Sequence, residues 1–111
     1  MPFDSELAAR LLGALHALGA IDVVERRMFG GVGLMIDGNM CGGVHKDRLI
    51  VRVGPEAYEQ ALAQPCAGEF DITGRPMRGW VMIAPEGCRS SDDLLAWAEM
   101  GLEFVRTLPP K

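Results

Sequence analysis

Leu7, Leu11, Leu15 and Leu18 recur at three- and four-residue intervals, while Glu6 and Arg10 fall off their line. That spacing predicts an amphipathic helix over 5–18. Asp4 or Ser5 is placed to cap its start, and Gly19 to end it in a left-handed turn. Ile21–Val24 reads as a short extended piece. From Val32 the period changes to two: Val32, Leu34 and Ile36 share one face of a strand, and Asp37-Gly38 is a two-residue hairpin turn. The return strand is Asn39–His45, with Met35 opposite Met40, Leu34 opposite Cys41 and Gly33 opposite Gly42. Lys46-Asp47 makes a second turn and Arg48–Val53 a third strand. A short helix follows over Pro55–Gln64, opened by a proline in its first turn and stopped by Pro65. Further strands are predicted near Phe70–Ile72 and over Gly79–Ile83, with a turn at Thr73-Gly74 between them. The last helix starts at Ser90 or Ser91, where Asp92 and Asp93 supply first-turn acids. Its predicted buried stripe is Leu94, Leu95, Ala98, Leu102 and Val105.

Hairpin turns imply an antiparallel sheet. The expected architecture is therefore α+β: a sheet of about five strands, with the N-terminal and C-terminal helices packed on one face and a short helix between strands three and four.

Residues 26–40, RRMFGGVGLMIDGNM, hold four glycines. A dinucleotide fingerprint needs a third glycine after G-x-G and a helix behind it. Here Ile36 stands where that glycine belongs, and a strand follows. A Walker loop would need Gly-Lys-Ser/Thr, which is absent. The geometric reading is that Gly31, Gly33 and Gly42 fall on the sheet face opposite Val32, Leu34 and Ile36, so that another main chain can approach closely. Gly30-Gly31 is placed to kink the strand entrance.

A chain of 111 residues with 49% hydrophobic content matches one globular domain, residues 1–111. No apolar run is long enough to span a membrane. The acidic start, Phe3-Asp4-Ser5-Glu6, lacks the basic region of a secretion signal. Three well-separated cysteines, Cys41, Cys66 and Cys88, make a poor disulfide framework. A reducing, cytoplasmic location is expected. The net charge of −4 is uneven: 1–25 and 90–111 are acidic, whereas 26–89 carries eight bases against seven acids. Acidic ends around a near-neutral middle argue against a stand-alone nucleic-acid binder.

Candidate chemistry is sparse. Cys41 and His45, four apart on a strand, would share a face about 13 Å apart, too far for a ligand pair. Cys66 and Cys88 lack a C-x-x-C partner, so no metal is expected. Asp92, Asp93, Glu99 and Glu103 are better explained by capping and solvation than by acid–base work. No cofactor and no catalytic residue is assigned. Nine of the eleven basic residues are arginine. Arg26, Arg27, Arg52 and Arg78 are expected either to pair with surface acids or to line one surface beside the MFGG turn.

RRMFGGVGLMIDGNMCGGV, then RLIVRVG, GRPMRGW and a closing LLAWAEMGLEFVRTL helix, resemble the N-terminal domain of the TfoX/Sxy family, from about Leu7 to Leu108. The resemblance implies a helix, an antiparallel sheet of about five strands and flanking helices. It also implies a relation to bacterial regulators of natural competence, which act on transcription. Those regulators carry a second, C-terminal domain, so the likeness is to the short, single-domain members.

The expected function is a non-enzymatic cytosolic interaction or regulatory module working through protein–protein contacts, with an unidentified protein or a second copy as partner. The expected partner-binding surface comprises Arg26, Arg27, Met28, Phe29, Gly30, Gly31, Met35, Met40, Arg52 and Arg78. The alternative is a small ligand binder or enzyme with a site near Arg52, Arg78 and Trp80. Direct DNA binding ranks below both, and no membrane association is expected.

Overall fold

The computed structural model describes residues 3–28, 30–71 and 74–111. Helix α1, Ser5–Ala17, starts where the Asp4 carboxylate accepts a hydrogen bond from the Leu7 amide at 3.0 Å. It ends in two crossed bonds: the Gly19 amide donates to the His16 carbonyl, and the Ala20 amide to that of Leu15. Gly19 takes the left-handed φ of +95° that this ending needs. Leu7, Leu11 and Leu15 are buried, as their spacing predicts, with Ala8 beside them; Leu18, the fourth of that line, caps the helix end and is only half-buried.

Among the described residues six strands follow: β1 Val24–Met28, β2 Gly31–Ile36, β3 Asn39–His45, β4 Arg48–Arg52, β5 Ala67–Glu69 and β6 Trp80–Ile83. They form one antiparallel sheet in the order β1-β2-β3-β4-β6-β5. The sixth strand is β1, which the hydrophobic pattern hides. Its sequence, VERRM, carries charges in alternate directions, a composition suited to a sheet edge with water on both sides. With β1 counted, the short helix α2, Tyr58–Leu62, lies between the fourth and fifth strands. The penultimate strand in sequence lies at 67–69, earlier than the expected 70–72. Ile72 and Thr73, and with them part of the expected turn, lie outside the described residues.

The hairpin turn is as expected, with Asp37 at φ 54° and Gly38 at φ 83°. The register beyond it is not. Met35 pairs with Met40, but Leu34 then faces Gly42 and Gly33 faces Gly43. Cys41 is an extra residue in β3, a bulge that shifts every later pair by one.

Rows of paired residues run across the sheet. One reads Arg27, Val32, Val44, Leu49, Ile83, Ala67; its neighbour reads Glu25, Leu34, Gly42, Val51, Val81, Glu69. Their apolar members join α1, α2 and helix α3, Ser91–Val105, in one core. The Ser90 hydroxyl caps α3 by accepting from the Asp93 amide at 3.0 Å. Leu95 is 38% exposed, against expectation, and Trp97 and Gly101 are buried in its place. The stripe of α3 thus turns toward the 97/101 column. A Cβ at Gly101 would lie 2.8 Å from the Cys41 carbonyl oxygen, so glycine there lets the helix settle onto β3.

Candidate interaction surface

The row between the two core rows reads Arg26, Gly33, Gly43, Ile50, Met82, Gly68, one residue from each strand. Alternation places it on the face away from the helices. Gly31 and His45, a pair two residues along, share that face, as do Met35 and Met40 toward the hairpin turn. A Cβ at Gly43 would collide with the Val32 carbonyl oxygen, and one at Gly31 with that of Val44. The glycines therefore permit close passage of β2 against β3 at this point. Gly42, the expected partner of Gly33, belongs to a core row instead. The bulge at Cys41 is the cause.

This face is partly filled by its own side chains. The Met40 Cε lies 3.1 Å from where a Cβ of Gly43 would be, so the methionine reaches over the glycine. Ile50 is 4% exposed and Met82 9%, yet neither joins the main core. Met35 and Met40 are half-buried, whereas Arg26 and Gly30 are exposed. Four of the expected surface residues, Arg26, Gly31, Met35 and Met40, come together here. Gly30, at φ 73°, sits at the entrance to β2. Met28 ends β1, and Phe29 lies outside the described residues.

The other arginines go elsewhere, each to an aromatic ring. Arg27 belongs to a core row, and its guanidinium carbon lies 5.4 Å from the centre of the Phe3 ring. Arg52 ends β4, three strands from β1, or about 14 Å of sheet at ordinary strand spacing. Its guanidinium carbon lies 5.1 Å from the Trp80 ring centre and 5.4 Å from that of Phe104. Arg78 lies 5.8 Å from the Tyr58 ring centre. The planar guanidinium favours such ring contacts where an ammonium would prefer water. A second cluster thus forms around Arg52, Trp80 and Phe104, with Phe70 tilted against Trp80 at 5.8 Å between ring centres. Sequence spacing missed Phe3, Tyr58 and Phe104 as ring partners. A groove of about 400 Å³ runs beside this cluster, lined in part by Phe104, Glu56, Glu103 and Thr107.

Cys41 and His45 do not share a face. The bulge sends Cys41 into the core, with its Sγ 3.3 Å from where a Cβ of Gly101 would stand, whereas His45 stays opposite Gly31. Burial pushes the Cys41 thiol up to about 12, with the charge of Arg106 acting the other way. Such a thiol stays protonated near neutral pH and is a poor nucleophile. Burial also raises the Cys88 thiol, which lies 3.7 Å from the Pro85 carbonyl oxygen. Cys66 is exposed, at φ 69°, beside a groove of about 320 Å³ that reaches Trp97 and Met100. Among the described residues, no three His, Cys, Asp or Glu side chains are grouped to hold a metal. No helix among them is long and apolar enough to cross a membrane.

One helical layer on an antiparallel six-stranded sheet, with a glycine-rich far face, defines a two-layer α+β domain. The chain belongs to the TfoX N-terminal domain family, whose model matches residues 14–105. Neither the curated proteins nor the solved structures offer a match to this chain.

Proposed function

We propose that this TfoX-type domain is a non-enzymatic regulatory module that works by protein–protein contact through the glycine-rich face of its sheet. The observation that carries the reading is the row Arg26, Gly33, Gly43, Ile50, Met82, Gly68 with the Met35–Met40 pair beside it. Glycines keep the surface low. Half-buried methionines give it adaptable apolar contact, which suits partners of varied shape. Arg26 adds a forked donor at its margin. A place among transcriptional regulators, like that of the competence proteins the family is named for, fits a module of this kind. The cytoplasm is the compartment proposed, since the three cysteines are free thiols.

The test is affinity capture from native cytosol with wild type and with a Met35→Asp, Met40→Asp double variant of unchanged fold. A reproducible set of proteins held by the wild type and lost by the variant is the expected outcome. Equal capture by both, or none by the wild type, contradicts the reading.

A second reading, a small ligand-binding protein, draws on the groove beside Phe104 and on Arg52 lying near both the Trp80 and Phe104 rings. It requires a ligand whose binding is abolished by Arg52→Ala and untouched by the methionine variant.

A further inference from the structure

We propose that the outer edge of β1 pairs with β1 of a second copy, antiparallel and centred on Arg26, to join two sheets into one. The two edges of the sheet differ. β5 is three residues long, the sort of short edge that discourages pairing, whereas β1 runs for five and, among the described residues, is bonded to β2 alone. Apolar side chains stand out at its start: Val24, its first residue, is 59% exposed, and Ile21 just before it 85%.

The order of charges within β1 selects the occupant. Glu25 and Arg27 flank Arg26, and both are exposed. In a two-fold pairing centred on Arg26, Glu25 of each copy faces Arg27 of the other. Two opposite-charge cross-strand pairs then form on the helix-side face, where Glu25 and Arg27 lie in line with Leu34 and Val32. The two Arg26 side chains meet on the glycine side. There each pairs with Gly33, which carries no side chain, and the exposed guanidinium groups can turn apart into water. A strand sequence that matches itself when reversed points to a second copy rather than to an unrelated segment. The contact is narrow, so the dimer is weak and sensitive to salt.

This inference rests on the interaction reading and shares Arg26 with it, but its test turns on Glu25 and Arg27 rather than on Met35 and Met40, so the two fail separately. Sedimentation equilibrium up to about 1 mM chain measures the pairing directly. The wild type is expected to dimerise. Glu25→Arg, which turns both pairs into like-charge pairs, is expected to weaken the dimer at least about tenfold. The double variant Glu25→Arg, Arg27→Glu re-creates both pairs reversed and is expected to restore it. Leu95→Asp, which removes an exposed leucine on α3, is expected to leave it unchanged. A wild type that stays monomeric overturns the proposal, and so does a dimer indifferent to Glu25→Arg or one that the double variant fails to rescue. A monomer that binds an extended poly-glutamate peptide along β1 also overturns it, assigning the edge to an acidic partner. None of these failures touches the Met35–Met40 capture experiment.

Discussion

The two faces of the sheet are built from the same strands by opposite means. On the helix side, Leu34, Val44, Leu49, Val51, Val81 and Ile83 are almost wholly buried beneath three helices. Large branched side chains there fill space and supply the hydrophobic term that holds the layers together. On the other side the same strands place Gly31, Gly33, Gly43 and Gly68, and fill what remains with Met40, Ile50 and Met82. Residues one step apart in β2 therefore serve different ends. Packing decides the helix side, whereas passage of main chain past main chain decides the glycine side at Gly31 and Gly43.

The largest expected effect tests that split within a single strand. Leu34→Ala empties a fully buried site and is expected to destabilise the fold by about 2–5 kcal/mol in urea unfolding. Its neighbour Met35 is half-buried on the far face, and Met35→Ala is expected to cost less than about 1 kcal/mol. Equal losses would erase the distinction between the faces.

Alkaline pH sharpens the same comparison. Cys41 is held protonated in the fold by burial, with its folded value near 12 against an ordinary thiol near 9. The unfolded chain gives up this proton first. The contribution is therefore complete below about pH 9 and is lost as pH rises toward 12, at up to about 1.4 kcal/mol per pH unit. Cys88, also raised by burial, acts in the same direction. Unfolding free energies measured from pH 8 to 11 are expected to fall more gently in Cys41→Ala than in the wild type. Parallel curves would mean that Cys41 is open to solvent.

A smaller effect is expected at the hairpin tip, where the two faces meet. Asn39 is buried, and its side-chain amide donates to the Pro109 carbonyl at 3.0 Å. The Lys111 amide donates to the Asp37 carbonyl at 2.8 Å, which ties the tail to the turn. Asn39→Ala is expected to lose about 1 kcal/mol and to speed hydrogen exchange at the Lys111 amide. No change at that amide would separate the tail from the hairpin.

How much of this was legible in the sequence depended on range. Local signals carry furthest: the sequence narrows the caps to Asp4 or Ser5 and to Ser90 or Ser91, of which the fold uses Asp4 and Ser90, and the Gly19 ending and the Asp37-Gly38 turn each depend on a few neighbouring residues. β1 was not read, because an edge strand wetted on both sides has no apolar alternation to betray it. The register beyond Met35 was off by one because nothing in NMCGGV shows which residue will bulge. That single residue moved the glycine pairing from Gly42 to Gly43 and sent Cys41 and His45 to opposite faces. Composition groups Arg27, Arg52 and Arg78 with Arg26. Their partners Phe3, Trp80, Phe104 and Tyr58 arrive from distant parts of the chain, so only the fold shows where each arginine settles. The surface around Arg26, Gly31, Met35 and Met40 was legible because its members lie within one hairpin and the strand before it.

Gly43 and Gly68 offer the most direct measurement of what the glycine face is for. They occupy one row of one face, but a Cβ at Gly43 strikes the Val32 carbonyl whereas a Cβ at Gly68 meets nothing within 4 Å. Chemical denaturation of the two alanine variants compares them directly. Gly43→Ala is expected to lose about 1–3 kcal/mol, and Gly68→Ala to stay level or gain up to about 1 kcal/mol. Equal responses at the two positions would contradict the claim that close strand passage demands glycine at Gly43 and not at Gly68.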